Sequence, residues 1–159
     1  MLKEAGKTVT TAESCTGGLL AKMLTDVPGS SAYFKQGWVT YSNEAKQSLL
    51  LVKGLTLKDH GAVSKDVVEE MALNAMDKAR ADFALAISGI AGPDGGTPEK
   101  PVGTVWIALG RPSALKPGLT EAGGRRFLVP GDREMIRDRS AKMALTILRH
   151  HLLGKAMPF

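Results

Sequence analysis

The sequence predicts an α/β fold: a three-layer α/β/α sandwich around a mostly parallel, mixed sheet of about five strands. Three observations carry this prediction. Apolar and β-branched runs alternate along the chain with stretches whose apolar residues recur at helical spacing. One run, Phe83-Ala84-Leu85-Ala86-Ile87, is apolar throughout, as expected of a central strand covered on both faces. Two late strand-like runs follow one another with no helix between them, which places one antiparallel member in the sheet.

In chain order, Lys7-Thr8-Val9-Thr10-Thr11-Ala12 is β-branched and reads as the first strand. Glu13-Ser14-Cys15-Thr16-Gly17-Gly18 turns into a helix with Leu19, Leu20, Met23, Leu24 and Val27 on one face. Trp38-Val39-Thr40-Tyr41 is the next strand. Ser42 and Asn43 are helix-capping residues, and good helix formers run from Glu44 to Leu50. Ser64 caps a helix whose stripe is Val67, Val68, Met71, Ala72, Ala75, Met76 and Ala79. After the run at 83–87 comes a long glycine-rich loop, Ser88 to Pro98, then a strand at Thr104–Leu109. Gly110 to Gly124 reads as an exposed connection, and Arg125 to Val129 as the last strand. Pro130-Gly131-Asp132 opens a final helix that Gly154 ends.

The chain has 159 residues, enough for one domain (1–159) that buries roughly two thirds of its unfolded surface. Hydrophobic content of 43% with 23% charged residues is ordinary for a soluble globular chain. No apolar run approaches the ~20 residues of a membrane span, and the first residues do not form a signal peptide. A single cysteine, Cys15, excludes an internal disulfide and a multi-cysteine metal site. The three histidines show no metal-ligand spacing. A cytoplasmic protein without metal or organic cofactor is the expectation. The net charge is +5, carried by residues 101–159, where Arg125, Arg126, Arg133, Arg137 and Arg139 fall. Aromatic content of 5% is too low for a base-stacking platform, so a solvated basic helix, or arginines that meet a small anionic ligand, fits better than a polynucleotide groove.

The chemistry concentrates between Gly29 and Lys46, GSSAYFKQGWVTYSNEAK. A strand that ends near Tyr41 and turns at once into a helix puts Lys46 in the first turns, where its stem swings back over the strand end. Ser30 and Ser31 lie in the preceding turn. A serine, a tyrosine and a lysine together make a nucleophile with a non-histidine base. The plain alternative is a solvated helix lysine with two turn serines. Both glycine-rich loops, Ser14–Gly18 and Ser88–Gly92, follow strand carboxyl ends, where open α/β sheets hold their ligands. Such a loop leading into a helix suits a phosphate, although neither has the spacing of a dinucleotide or Walker loop. Cys15 is a rival nucleophile near a helix start, but no histidine stands nearby as its base.

TAESCTGG, GSSAYFKQGWVTYSNEAK, HGAVS and SGIAGPDGGTPEKPVGTVW, in this order, resemble the CinA C-terminal-domain family. The likeness runs from Thr8 to about Leu148. Characterised members are nicotinamide-mononucleotide amidohydrolases (deamidases), and the resemblance implies that reaction, with a pyridine mononucleotide as substrate. It is to the stand-alone form; family members usually carry a further helix before TAES, where Met1 to Gly6 stands here. The family's Ser-Tyr-Lys set is placed on Ser31, Tyr41 and Lys46, with Ser30 and Ser14 as the other serines for the first role. The resemblance implies substrate contacts at Ser14, Thr16, Gly17, Gly18 and Asn43, and at Ser88, Gly89, Gly92 and Thr104. No cofactor or metal, no nucleic acid and no membrane is implied, and a homo-oligomer is compatible. Two other readings stand beside it: a nucleotide-binding regulatory domain of the same fold without turnover, and a basic nucleic-acid binder using the last helix.

Overall fold

A computed structural model describes residues 1–156; residues 157–159 of the expected domain lie outside the described set. The elements are β1 (Val9–Glu13), α1 (Leu19–Thr25), β2 (Phe34–Val39), α2 (Asn43–Leu50), α3 (Gly54–His60), α4 (Lys65–Ala79), β3 (Phe83–Gly89), β4 (Thr104–Pro112), β5 (Thr120–Leu128) and α5 (Arg133–Leu152). They build one five-stranded sheet in the order β2-β1-β3-β4-β5. β1 pairs in parallel with β2 and with β3, whereas β4 is antiparallel to both of its neighbours. β4 is therefore the single antiparallel member that the adjacent late strands predict.

The period-2 alternation of the strands sorts the core by size. Val9, Leu85, Ile87, Val105, Ile107 and Leu109 pack on one face with α1 and α5. Ala12, Ala84, Ala86 and Ala108 pack on the other with α2, α3 and α4. The small residues let α4 approach closely: a Cβ on Gly110 would sit 3.4 Å from the Ala72 carbonyl oxygen. The α4 stripe from Val67 to Met76 is buried as its spacing predicts.

Three elements differ from the sequence expectation. β2 spans Phe34–Val39, so Thr40 and Tyr41 lie beyond it, although the Thr40 N–H still bonds the Glu13 carbonyl at 2.8 Å. α3 carries no capping side chain and is seven residues long, too short and weakly marked to show in the periodicity. The stretch Gly110–Gly124 is a β-hairpin rather than a free connection, with β4 and β5 paired from Thr104↔Leu128 to Pro112↔Thr120. An ion pair between Arg111 and Glu121 at 2.9 Å and a Ser113–Glu121 hydrogen bond hold its turn end. β5 is a half-exposed edge of glycines, threonine and charged residues, so no apolar alternation marks it.

Register decides where the crevice forms. Glu13 lies opposite Val39 of β2 and opposite Ile87 of β3, so the three parallel strands end level. From β1 the chain goes first to one side, to β2, and then crosses to β3 on the other. That reversal opens a crevice at the strands' carboxyl ends.

Candidate active site

The turn after β1 is fixed from several sides. The Glu13 side chain, wholly buried, accepts the backbone N–H groups of Gly18 at 3.1 Å, Leu20 at 3.0 Å and Ala21 at 2.8 Å. It thereby satisfies the first turn of α1, whose N-cap residue is Gly18 and offers no side chain. Gly17 (φ +59) and Gly18 (φ +95) supply the left-handed backbone that the reversal needs. Arg137 Nη2 holds the Thr16 carbonyl at 2.9 Å. Ser14 stands at the head of this turn, its N–H bonded to the Ile87 carbonyl at 2.9 Å, continuing the sheet.

From the other side comes Lys46. Ser42 caps α2 by accepting the Ala45 N–H at 3.1 Å, which fixes where the helix begins and so where Lys46 points. Its side chain is 1% exposed. Nζ donates to Ser14 Oγ at 3.1 Å, to the Thr40 carbonyl at 2.8 Å and to the Tyr41 carbonyl at 3.3 Å. Three acceptors match the three protons of an ammonium, and among the described residues Lys46 makes no ion pair. Burial disfavours the charged form and pushes its pKa down. In the neutral form the nitrogen lone pair is free to accept the Ser14 hydroxyl proton. Cys15 beside it is different: burial pushes its thiol up to about 11, so the nucleophilic thiolate is scarce at neutral pH.

The pair opens into a cleft of about 300 Å³. Its walls come from Ser14 and Cys15, from Tyr41 and Asn43, from Ala62 and Val63, and from the loop Ser88–Gly92 with Asp94 and Gly95. Ser88 Oγ donates to the Ala62 carbonyl at 2.7 Å, tying the α3–α4 connection to the end of β3. Gly89 has no room for more: a Cβ there would come within 2.8 Å of Val105 Cγ2. At the mouth, Arg133 Nη1 donates to the Gly92 carbonyl at 2.8 Å and Nη2 to Tyr41 Oη at 2.9 Å. Ala91 and Gly92 line the cleft, and their N–H groups donate to no protein acceptor among the described residues. Among the described residues no three His, Cys, Asp or Glu side chains converge as metal ligands. No helix among them is long and apolar enough to cross a membrane.

The family model described as "CinA C-terminal domain" matches residues 1–152. The chain belongs to that family. Its relatives include a nicotinamide-nucleotide amidohydrolase PncC from Escherichia coli (strain K12), 55% identical over 152 residues, covering 96% of this chain and 88% of that protein. A putative competence-damage inducible protein from Symbiobacterium thermophilum is 54% identical over 97% of this chain but only 37% of its own length. Among solved structures, a competence-damaged protein (CinA) superfamily protein from Klebsiella pneumoniae 700603 superposes with a TM-score of 0.88 at 39% identity, covering 96% of this chain and 91% of that one. The competence/damage inducible protein CihA from Agrobacterium tumefaciens gives 0.85 at 42% identity, with 93% and 87% covered.

Within this CinA C-terminal domain the residues expected from sequence separate into four groups. Ser14, Tyr41, Asn43, Lys46, Ser88, Gly89 and Gly92 line one cleft. Thr16 and Thr104 are fully buried behind it and do not line it. Gly17 and Gly18 shape the turn, and the Gly18 N–H is spent on Glu13. Ser31 is not brought to Lys46. It sits on an exposed 3₁₀ turn, Ser30–Ala32, before β2, where its carbonyl accepts from Lys35. Lys46 follows the far end of that strand, and its six residues span about 20 Å. The same strand separates Ser30 from the lysine. Tyr41 meets Lys46 through its backbone carbonyl, while its phenol points to Arg133. One residue gained a place that sequence reasoning did not give it: Glu13, whose sign was a carboxylate just before a glycine-rich helix start. Arg133 was one of five late arginines suited to a small anionic ligand, and among those five it alone lines the cleft.

Proposed function

We propose that this domain hydrolyses the carboxamide of a nicotinamide nucleotide, nicotinamide mononucleotide above all, to the carboxylate and ammonia. The observation that carries the reading is the buried contact between Lys46 Nζ and Ser14 Oγ, which is a nucleophile with its base already in place. The 55% identity to a protein named nicotinamide-nucleotide amidohydrolase supports the substrate. A cytoplasmic location follows from such a substrate.

A carboxamide is a poor electrophile, so the reaction needs an activated nucleophile and a stabilised oxyanion. Ser14 Oγ attacks the amide carbon as neutral Lys46 takes its proton. The N–H groups of Ala91 and Gly92 are the donors available to the oxygen that becomes negative. When the tetrahedral species collapses, the C–N bond breaks and Lys46 returns the proton to the departing nitrogen, which leaves as ammonia. Water then attacks the acyl ester, giving one proton to Lys46, and Ser14 regains its own as the acid departs. The Thr40 and Tyr41 carbonyls hold the amine in place throughout. The pyridinium charge of the substrate works in the same direction as burial, because a second cation close by disfavours the ammonium.

The test is ammonia release by the whole chain from nicotinamide mononucleotide, its riboside, free nicotinamide and the dinucleotide. Release from the mononucleotide, lost in Ser14→Ala, is the expected result. Binding of the mononucleotide without any ammonia would leave the regulatory, non-catalytic reading in its place.

A further inference from the structure

The cleft has a buried end and an open end. At the buried end Lys46 and Ser14 meet, which under the amidohydrolase reading is where the carboxamide lies. The phosphate of a mononucleotide is at the opposite end of the molecule, so it must be met at the mouth.

The loop that looked suited to a phosphate is already satisfied. The N–H groups of Gly18, Leu20 and Ala21, which a helix start would offer to an anion, are taken by the Glu13 carboxylate. A phosphate there would meet a buried acid instead of free donors. Arg137 lies on the same side, holding the Thr16 carbonyl, and is not part of the cleft wall. Among the described residues that line the cleft, only Lys46 and Arg133 are cationic, and Lys46 is buried with the nucleophile.

We propose that Arg133 is the residue that recognises the substrate's phosphate monoester and so sets the preference for a mononucleotide over its riboside. The proposal rests on the amidohydrolase reading for which end of the cleft is which. Arg133 is exposed at the mouth and anchored at the start of α5, which Asp132 caps by accepting the Met135 N–H at 2.8 Å. Two of its five N–H groups go to the Gly92 carbonyl and Tyr41 Oη. The other three meet no acceptor among the described residues and are available to phosphate oxygens, in the fork geometry that matches them. The bonds to Gly92 and Tyr41 hold the guanidinium in place before substrate arrives, which reduces the ordering cost of binding. Because Tyr41 also holds Lys46 through its carbonyl, one residue links the phosphate end to the base.

The experiment compares the full-length wild type with Arg133→Met and Arg133→Lys, measuring kcat/KM for the mononucleotide and for the riboside. The ratio of the two is expected to fall about 10- to 100-fold in Arg133→Met, the range of charge-assisted hydrogen bonds to a phosphate. Arg133→Lys, which keeps the charge and loses the fork, is expected to fall between. Calorimetric titration of the two ligands into Ser14→Ala, with and without Arg133→Met, reads the same ratio with no turnover. An unchanged ratio in both measurements, with equal losses for the two ligands or none, overturns the assignment. The two readings fail separately. Ammonia release with an unmoved ratio removes Arg133 and leaves the amidohydrolase. A binding ratio that depends on Arg133 without any ammonia release keeps the phosphate seat and removes the reaction.

Discussion

Lys46 Nζ lies 3.1 Å from Ser14 Oγ, across 32 residues of chain and two separate strand ends. Both side chains are largely buried at the inner end of the cleft: Lys46 is 1% and Ser14 8% exposed. The register that ends β1, β2 and β3 level makes the contact possible, since Ser14 follows β1 and Lys46 follows β2.

The first prediction concerns the serines. Ser14→Ala is expected to lower amide hydrolysis by about 10⁴-fold or more, as removal of a nucleophile does when base and nucleophile act as a unit. Ser31→Ala is expected to stay within about twofold of wild type, because an exposed turn serine that touches nothing in the cleft carries little energy. A steady-state ammonia assay decides it. The reverse pattern would return the nucleophile to Ser31.

A second prediction follows from the base. The proposed mechanism needs Lys46 neutral, and its pKa is lowered by burial. The kcat/KM profile is therefore expected to rise with pH through an inflection below the ~10.4 of an ordinary lysine. Lys46→Arg, which keeps the charge but cannot lose its proton, should be inactive at every pH. An inflection at the ordinary lysine value would contradict the role given to burial.

The same shift has a consequence for stability, with a definite sign. Between the lowered folded pKa and the ordinary unfolded one, the unfolded chain binds more protons at this site than the folded chain. Stability then rises with pH in that window, is fully recovered above the unfolded pKa, and is lost as pH falls through the folded pKa. Urea unfolding of wild type and Lys46→Met across that window should show wild type gaining relative to the variant as pH increases. A pH-independent difference would mean that Lys46 titrates alike in both states.

Glu13 provides the fourth test. Glu13→Ala leaves three buried or part-buried N–H groups without their acceptor and is expected to cost about 3 kcal/mol or more of stability. Glu13→Gln keeps an acceptor oxygen and should cost less. Both should lower kcat more than they raise KM, because the turn that presents Ser14 loosens while the mouth of the cleft is untouched. Wild-type stability and kcat in Glu13→Ala would show that the turn holds without it.

Finally, Tyr41→Phe removes the hydroxyl that accepts from Arg133 and leaves the carbonyl that holds Lys46. Activity is expected to fall by roughly 3- to 30-fold, the range of one modest hydrogen bond. A complete loss would show that the phenol takes part in the proton transfer.

The sequence by itself determined the layered α/β architecture, the single antiparallel strand, the α4 stripe and the two loops at strand carboxyl ends. Each of these is written in local periodicity, in capping residues such as Ser42 and Ser64, or in β-branched runs, which act over a few residues. It also singled out Lys46, because a lysine just inside a capped helix can fold back over the preceding strand. Only the tertiary structure decided which serine that lysine meets. Ser31 is nearer in sequence, but β2 is rigid and extended and carries it away, whereas parallel pairing brings Ser14 alongside. Pairing register is a long-range property, set by how β1 lies against β2 and β3. For the same reason, neither the burial of Glu13 under α1 nor the reach of Arg133 to Tyr41 was legible from spacing.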